Sequence, residues 1–456
     1  DPYRLPRACI EAGAHYLDLS DDAEFSFGIA ALDDAARAAE VFALSGASST
    51  PGLSSSVVAH LAADMSAVET IDTAILPGNR APRGRAVMES ILGQVGAPLH
   101  LTRGGPDAPP AWSDPRAYDI APGLRRKGWL IGSPETALFP ARFGARSSTF
   151  RAGMELPVMN WGLAAIARLR RLGLVKSPAR LVPVLRWMAD RMRGFGMDEG
   201  GMVVSVIGRV DGEAVSRRWT LLAKAGEGPF VPAVVARAIL RAPDRIAPGA
   251  RPCANDVDRS ALVAAMADLN VTTSEDARPA PSLFEQVIGA ARRDLPPELA
   301  DAHEVHDRRA YRGVAKIERG AGAIPRIIGA LFRFPAAGEA VPVRVVMTKT
   351  AKGETWMRDF GGRRFRSHLS LRPGGGVTER FGPFAFDIDL PVQDGKIVFD
   401  LRGGRFCGVP MPSALLPGNE TAERIEDGAF AFDVGLSAPL GLGLIVRYRG
   451  RLEAEV

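Results

Sequence analysis

The chain has 456 residues, of which 46% are apolar and 24% charged, as in globular proteins that bury large cores. This length predicts two or three domains, and the absence of an apolar run of about 18 residues argues against a membrane-spanning helix. The net charge of +5 is spread over the chain, and no zinc, RNP or basic-zipper pattern accompanies it, so we expect no nucleic-acid partner. Cys9, Cys253 and Cys407 share no CxxC spacing, which argues against a zinc site and a disulfide framework and favours a reducing, cytoplasmic location.

Helices and strands alternate through the first hundred residues. The predicted helices cover 5–13, 33–40, 50–65 and 83–95, and the predicted strands cover 15–19, 41–44 and 70–76. Such alternation is typical of a parallel sheet covered by helices. The first residue is not Met and a helix begins within a few residues, so we interpret the chain as truncated at its N-terminus.

The pattern changes after residue 103, where loops rich in Gly, Pro and Asp begin. A mostly helical stretch follows over 156–195. Two strands come next, at 201–210 and 214–225, and Asp211-Gly212 between them is typical of a tight hairpin turn. We predict an α+β domain of the substrate-binding or dimerisation type over residues 104–275.

The remainder of the chain is rich in strand-forming residues. Residues 273–281 have the composition of a linker. Beyond them, predicted strands with Gly- and Pro-bearing turns between them suit one antiparallel sheet. These strands cover 342–349, 353–360, 365–371, 378–390, 396–403, 429–437 and 444–452. We therefore predict a β-rich domain over 282–456.

The first candidate site is the segment Ser45-Gly46-Ala47-Ser48-Ser49, which joins an apolar strand to a helix N-terminus. Small side chains let a ligand approach the backbone, and a helix N-terminus offers unpaired N–H groups. The alternative is a tight strand–helix turn without a ligand. The acidic residues after the preceding strand are Asp18, Asp21 and Asp22, which either act on a substrate or cap the next helix, and we favour capping.

Two blocks resemble the saccharopine dehydrogenase-like (saccharopine reductase-like) oxidoreductases. Residues 8–21, ACIEAGAHYLDLSD, are similar to the family's A-C-x-x-A-G-x-H-Y-x-D-L block, and residues 45–54 are similar to its next strand–helix junction. The resemblance implies that residues 1–103 are the second half of a Rossmann-like NAD(P)-binding domain, that the first strands and Gly-rich loop are absent, and that Ser45–Ser49 face the nicotinamide side of the cofactor. It also implies hydride transfer between NADP or NAD and a small carbonyl or imine substrate. No catalytic residue is assigned, and without the Gly-rich loop we expect weak dinucleotide binding.

The C-terminal part resembles the uncharacterised domain DUF4166, on the basis of residues 353–362, 379–383 and 408–412. The resemblance covers 283–452 and implies no activity. Glu354, Arg358, Glu379 and Arg380 form either a charged cross-strand ladder or a polar ligand site inside the sheet. The aromatic residues interpreted as core are Phe360, Phe381, Phe384, Phe386, Phe430 and Phe432.

Three further groups leave alternatives open. Arg142, Arg146 and Arg151 either bind a substrate carboxylate or are solvated. His303 and His306 are predicted on a helix at the surface or an interface, and we expect no metal site there. The stretch 168–193, with eight basic residues and one acidic residue, either contacts an anionic membrane or packs on its own domain.

The sequence therefore predicts an α/β chain with a partial Rossmann-type parallel sheet, an α+β domain and an antiparallel β-rich domain. The favoured function is an NAD(P)-dependent oxidoreductase. The alternative is non-catalytic binding of an apolar or lipid-like ligand by the C-terminal domain, with the α/β part as a scaffold. A homodimer is compatible with either function.

Overall fold

A computed structural model describes residues 1–82, 84–103 and 108–455. The described chain forms two compact units: unit 1 contains the described residues up to 279 except Arg103, and unit 2 contains Arg103 and residues 280–455. Unit 1 is mixed α/β, and unit 2 is dominated by one antiparallel sheet. No helix among the described residues is both long enough and apolar enough to cross a bilayer.

Helices and strands alternate irregularly in unit 1. Its helices are α1 (Arg4–Glu11), α2 (Ala23–Gly28), α3 (Asp33–Ala38), α4 (Ser54–Leu61), α5 (Arg85–Gln94), α6 (Glu135–Phe143), α7 (Pro157–Arg171), α8 (Val182–Arg191), α9 (Val234–Arg241) and α10 (Arg259–Met266). Its strands are β1 (Tyr16–Leu17), β2 (Phe42–Ser45), β3 (Ala67–Leu76), β4 (Arg116–Ala121), β5 (Leu124–Leu130), β6 (Ser147–Ala152), β7 (Gly200–Val210), β8 (Glu213–Ala223), β9 (Gly249–Pro252) and β10 (Val271–Pro279).

The strands of unit 1 belong to two sheets. A small parallel sheet has the order β1-β2-β9, and a larger mixed sheet has the order β10-β8-β7-β3-β6-β5-β4. The single parallel sheet expected for the first hundred residues is not formed, because strand 70–76 lies in β3, which pairs with β6 and β7 in the mixed sheet. Its nearly continuous burial is typical of a central strand, but an apolar run does not identify the sheet to which it belongs.

Two other boundaries differ from the sequence prediction. The helix expected to begin at Thr50 begins at Ser54, because the backbone of Thr50 is extended. The linker expected over 273–281 was also wrong, since most of it lies in β10, which pairs with β8. The polar composition of that segment reflects an exposed edge strand and not a flexible connection.

The Asp211-Gly212 turn was predicted correctly. It joins β7 to β8, and both turn residues have positive φ, as a two-residue hairpin turn of this type requires. The inward faces of β7 and β8 contribute Val204, Val206 and Trp219 to the main core of unit 1.

Long antiparallel strands dominate unit 2. Its helices are α11 (Leu283–Ile288), α12 (Pro297–Ala302) and α13 (Ala323–Leu331). Its strands are β11 (Arg308–Arg319), β12 (Gly338–Thr350), β13 (Gly353–Phe360), β14 (Arg363–Leu371), β15 (Val377–Phe381), β16 (Phe384–Asp389), β17 (Val392–Gln393), β18 (Lys396–Val398), β19 (Asp400–Phe406), β20 (Val409–Pro410), β21 (Gly418–Glu426), β22 (Ala429–Ser437) and β23 (Leu444–Ala454).

The large sheet of unit 2 closes on itself. Its order is β17-β18-β21-β22-β23-β11-β12-β13-β14-β15-β16-β19-β20. Only Phe399 separates β18, which pairs with β21, from β19, which pairs with β16. The continuous segment 396–406 therefore joins the two ends of the sheet. Because successive side chains of a strand point to opposite faces, one face of every strand in this closed sheet faces the interior.

Candidate functional site

The predicted cofactor segment Ser45–Ser49 lies inside unit 1. The hydroxyl of Ser45 and the backbone N–H of Gly46 each donate a hydrogen bond to Oδ1 of Asp18, and both donor–acceptor distances are 2.9 Å. Ser45 and Ala47 have no exposed surface, and Ser48 and Ser49 are also buried. The described geometry gives a nicotinamide ring no access to Ser45 or Ala47 and therefore adds no support for this site, which stays a prediction.

The acidic residues near this bend have different roles. Asp22 caps α2 by accepting a hydrogen bond from the Phe25 backbone N–H at 2.8 Å, as expected. Asp18 instead holds the bend between β2 and α4, while its Oδ2 is buried without a partner among the described residues. The sequence predicted helix capping correctly for Asp22. It could not show that Asp18 instead accepts hydrogen bonds from Ser45 and Gly46, at the end of the neighbouring strand.

A buried ion pair in unit 1 involves one of the candidate arginines. Arg151 on β6 is fully buried and forms an ion pair with Asp72 on β3, whose carboxylate also accepts hydrogen bonds from Tyr118 at 2.8 Å and Thr149 at 2.6 Å. Burial alone would raise the pKa of Asp72, but the charges of Arg116 and Arg151 outweigh it and the net pKa is lowered. The interpretation of Arg151 as a solvated side chain was therefore wrong.

A second buried carboxylate, Glu135, begins α6 in the same unit. The Ser54 hydroxyl donates to its Oε1, while its Oε2 has no partner in the described part of the chain. Burial raises the pKa of Glu135 to about 7, and the hydrogen bond from Ser54 opposes the increase. We interpret this group as a structural acid, because its side chain has no exposed surface and it accepts a hydrogen bond from the Ser54 hydroxyl.

Unit 2 contains the clearest candidate for a binding site. Inside its closed sheet is a cavity of about 280 Å³, close to the lower end of the range typical of small-molecule sites. The lining is mostly aromatic and aliphatic, and it alternates with outward residues along each strand. The aromatic residues that line it are Tyr311, Phe332, Phe334, Trp356, Phe360, Phe365, Phe381, Phe384, Phe386, Phe399, Phe430, Phe432 and Tyr448.

The six phenylalanines assigned to the core from sequence all line this cavity. Their burial was predicted correctly for Phe360 and Phe432, whereas Phe381, Phe384, Phe386 and Phe430 are only partly buried. Sequence alternation shows that such residues share one face of a sheet. It does not show whether side chains from the opposite wall fill the space between them.

A polar group interrupts the apolar lining. Arg358 on β13 forms an ion pair with Glu379 on β15 at 3.3 Å, donates to the Ser367 hydroxyl at 2.8 Å, and lies 5.0 Å from the Trp356 ring centroid. Burial raises the pKa of Tyr448 to about 12, with the Arg358 charge opposing this increase and Glu379 adding to it. The Tyr448 hydroxyl has no hydrogen-bond partner in the described chain, although buried tyrosine hydroxyls usually have one.

The charged ladder expected from sequence is therefore only partly present. Arg358 and Glu379 interact as predicted, on the inner face of the sheet. Glu354 does not join them: its Oε2 accepts a hydrogen bond from Trp356 Nε1 at 3.0 Å, and burial raises its pKa. Arg380 points to the opposite face from Glu379, because the two residues are adjacent in β15.

The two histidines are buried, which contradicts the predicted surface role. His303 follows the last residue of α12, stacks on Phe284 at 3.9 Å between ring centroids, and places Nε2 2.8 Å from Oε2 of Glu423. Glu423 also lines the cavity. No group of three or more His, Cys, Asp or Glu residues in the described ranges is arranged to hold a metal ion.

A second depression adjoins the cavity at one end. It has a volume of about 420 Å³ and contains Arg333, Arg364 and Arg366, all exposed. Arg364 pairs with Asp359 at 2.6 Å, whereas Arg333 and Arg366 have no carboxylate partner among the described residues. The residues shared by the depression and the cavity are Leu331, Phe332, Phe365, Phe381 and Phe384.

Helix α13 covers part of the cavity. Ile328 lines the interior, whereas Ile324 and Ile327 on the same helix are exposed to solvent. Leu331 borders the cavity but is also 68% exposed. The helix is thus apolar on both sides. An apolar helix at the end of an apolar cavity is a suitable element for admitting a ligand, since either of its faces can contact an apolar molecule.

One known family model matches the part of the chain that forms the cavity, its ion pair and its aromatic lining. Residues 295–452 match the family model described as Domain of unknown function (DUF4166). The match lies wholly in unit 2 and confirms the DUF4166 resemblance. No curated protein matches the chain. The resemblance of the N-terminal blocks to saccharopine dehydrogenase-like proteins has no support from these comparisons and stays a prediction.

Proposed function

We propose that unit 2 binds a small amphiphile, with its apolar body inside the closed sheet and an acidic or polar group at the arginine-bearing depression. The observation that carries this proposal is the cavity of about 280 Å³ enclosed by a continuous ring of strands. Small-molecule sites are typically concave and mostly apolar, with few polar groups that fix orientation. The cavity of unit 2 has this composition.

Two polar features suggest how such a ligand is oriented. The Tyr448 hydroxyl is an unpartnered donor close to the Arg358–Glu379 pair, and a carbonyl or hydroxyl of a ligand would satisfy it. At the adjoining end, Arg333 and Arg366 provide positive charge without a carboxylate partner in the described chain. A carboxylate or phosphate group suits this end, because guanidinium groups bind both in a bidentate manner.

The proposal is tested by titrating the full chain with a fluorescent fatty acid. Val345→Trp adds an indole to the cavity lining, and we expect it to abolish saturable binding. The matched control is Val314→Trp, which adds the same group at an outward, exposed position of the same sheet and should bind as the wild type does. Equal binding by the wild type and Val345→Trp, or no saturable binding at all, would contradict the proposal.

A second comparison tests the charged end. Changing Arg333 and Arg366 together to Gln should lower the affinity for a fatty acid by about tenfold. The affinity for the corresponding fatty alcohol should be nearly unchanged. Arg312→Gln is the control, because Arg312 is exposed and does not line either depression. A similar loss of affinity for the acid and the alcohol would contradict the proposal that the ligand has an acidic group at this end. The apolar cavity would still be tested by Val345→Trp.

The oxidoreductase remains a second candidate because β1 and β2 are parallel and are joined through helices. The finer interpretation is that these strands belong to a Rossmann-type sheet and that Ser45–Ser49 face NADP or NAD. It is tested by titrating the full chain with NADPH and following the nicotinamide fluorescence. Absence of binding would contradict it, and binding by a variant with Ser48→Trp would contradict the placement at this segment.

A further inference from the structure

Helix α7 in unit 1 is apolar on two opposite faces. Its inner face contributes Leu163 and Ala167 to a buried cluster. Its outer face carries a second apolar stripe at helical spacing, formed by Val158, Trp161, Leu169 and Leu172. These four side chains are 61%, 56%, 38% and 63% exposed. Trp161 also packs edge-on against Trp129, with 5.2 Å between the ring centroids. A surface helix normally presents polar residues to water, so packing within unit 1 does not explain why these four side chains stay exposed.

Helix α8 repeats this arrangement. Val182 and Leu185 face the same buried cluster, whereas Val184, Trp187 and Met188 are exposed at spacings of three and four residues. Leu174, Phe195 and Met197, in the segments before and after α8, are exposed as well. Isolated exposed apolar residues are common, but exposed apolar residues that recur at helical spacing on two helices packed on the same buried cluster point to an interaction surface. We call the exposed side chains of residues 158–197 the outer face.

The outer face is also strongly basic. The stretch 168–193 contains eight basic residues and one acidic residue. Several of the basic residues are exposed and have no carboxylate partner within 1–82, 84–103 and 108–455, namely Arg168, Arg171, Lys176, Arg180 and Arg186. Arg191 lies over the Trp187 ring, 5.1 Å from its centroid. The positive charge of this face is therefore largely uncompensated.

We propose that the outer face binds the surface of an anionic lipid bilayer. Exposed tryptophans are suited to the boundary between acyl chains and headgroups, since the indole ring is apolar and its N–H is polar. Arginine side chains extend along apolar surface and place their charge among lipid phosphates. A second copy of this chain would bring an equally basic face against the first and would be repelled. This inference is independent of ligand binding in unit 2.

The test is co-sedimentation of the full chain with vesicles of phosphatidylcholine alone and with about 30 mol % phosphatidylglycerol. We expect binding only to the anionic vesicles, with a blue shift of tryptophan emission that is reduced in Trp187→Phe. A charge variant changes Arg168, Arg171, Lys176, Arg180 and Arg186 to Gln. Because each basic residue near an anionic surface contributes a factor of about five, this variant should lose more than about 100-fold in affinity.

The control removes the same number of charges elsewhere. It changes Arg4, Lys224, Arg245, Lys352 and Lys396 to Gln, all exposed and outside the outer face. A second test variant, Trp161→Ser with Leu172→Ser and Trp187→Ser, keeps the charge and removes apolar surface, and it should also lose binding. The substituted side chains are largely exposed, so unchanged thermal unfolding is expected and separates lost binding from misfolding.

The possible results distinguish the occupants of this face. Binding to both vesicle types, binding to neither, or equal loss in the charge variant and its control would overturn the proposal. A dimer in light scattering that the apolar variant disrupts, without vesicle binding, would assign the face to a second copy and would also overturn it. Selective binding to anionic vesicles that both test variants lose, and that the control retains, supports it.

Discussion

The ion pair inside the cavity offers a sharp test of the architecture of unit 2. Replacing Arg358 by Met removes the partner of Glu379, whose side chain is only 12% exposed, while keeping a similar apolar volume. It also removes the bond to Ser367 and the contact with the Trp356 ring. What remains is a carboxylate surrounded by phenylalanines.

The expected loss of stability is large. Leaving one partner of a buried ion pair unpaired typically costs about 3–5 kcal/mol. For a domain of this size, about 1 kcal/mol corresponds to about 2–4 °C in midpoint, so Arg358→Met should lower the unfolding temperature of unit 2 by roughly 6–20 °C. Changing Glu379 to Gln in the same chain should recover most of the loss, because no buried charge is then left.

The assay must report on unit 2 alone. Urea unfolding followed by hydrogen exchange and mass spectrometry of peptides from 353–371 meets this requirement, because β13 and β14 lie in unit 2. A loss under about 1 kcal/mol would show that Glu379 is solvated and that the cavity is not enclosed as described.

Three other changes test buried features of both units. In the wild type, we expect the stability to fall by up to about 3 kcal/mol as the pH rises from 4.5 through the folded-state pKa of Glu135, which is about 7. Glu135→Gln should remove this fall, as measured by urea titrations at several pH values. Arg151→Met should cost about 1–3 kcal/mol in the same assay, because Asp72 loses its fully buried partner and keeps only the more exposed Arg116; a change under about 0.5 kcal/mol would contradict the described network. Gly353→Ala should lower the stability of unit 2 by more than about 2 kcal/mol, since Gly353 has φ of +150° and a Cβ would lie 1.9 Å from the Leu369 carbonyl oxygen; wild-type exchange in β13 would refute this.

The elements that the sequence predicted best are those with strong local signals. The Asp211-Gly212 hairpin needs positive φ at both turn residues, and this requirement is visible in the residues themselves. Strand 41–44 and the helix over 33–38 also follow from local apolar and alanine-rich patterns. Each depends on contacts within a few residues.

The pairings between distant segments could not be read from the sequence. β9 joins the small parallel sheet from residues 249–252, far along the chain from β1 and β2. The closure of the large sheet depends on one segment that pairs with β21 at one end and β16 at the other. Local composition carries no information about such partners, because apolar alternation is the same for any neighbouring strand.

The candidate sites show the same division. The Arg358–Glu379 pair was predicted because both residues lie in recognisable strands, but the cavity beside it was not, since it depends on the distance between opposite walls. Arg151 and His303 were misassigned because charged and polar side chains are usually exposed, and their buried partners, Asp72 and Glu423, are distant in sequence.

The most direct measurement of the central claim is photocrosslinking of the full chain with a diazirine-bearing fatty acid, followed by peptide mapping. We expect adducts on the inward residues of unit 2, among them Phe386, Phe432 and Val345, and their loss when excess unlabelled fatty acid is present. Adducts only on outward residues such as Val314, or only in unit 1, would contradict the assignment of the closed sheet as a ligand site.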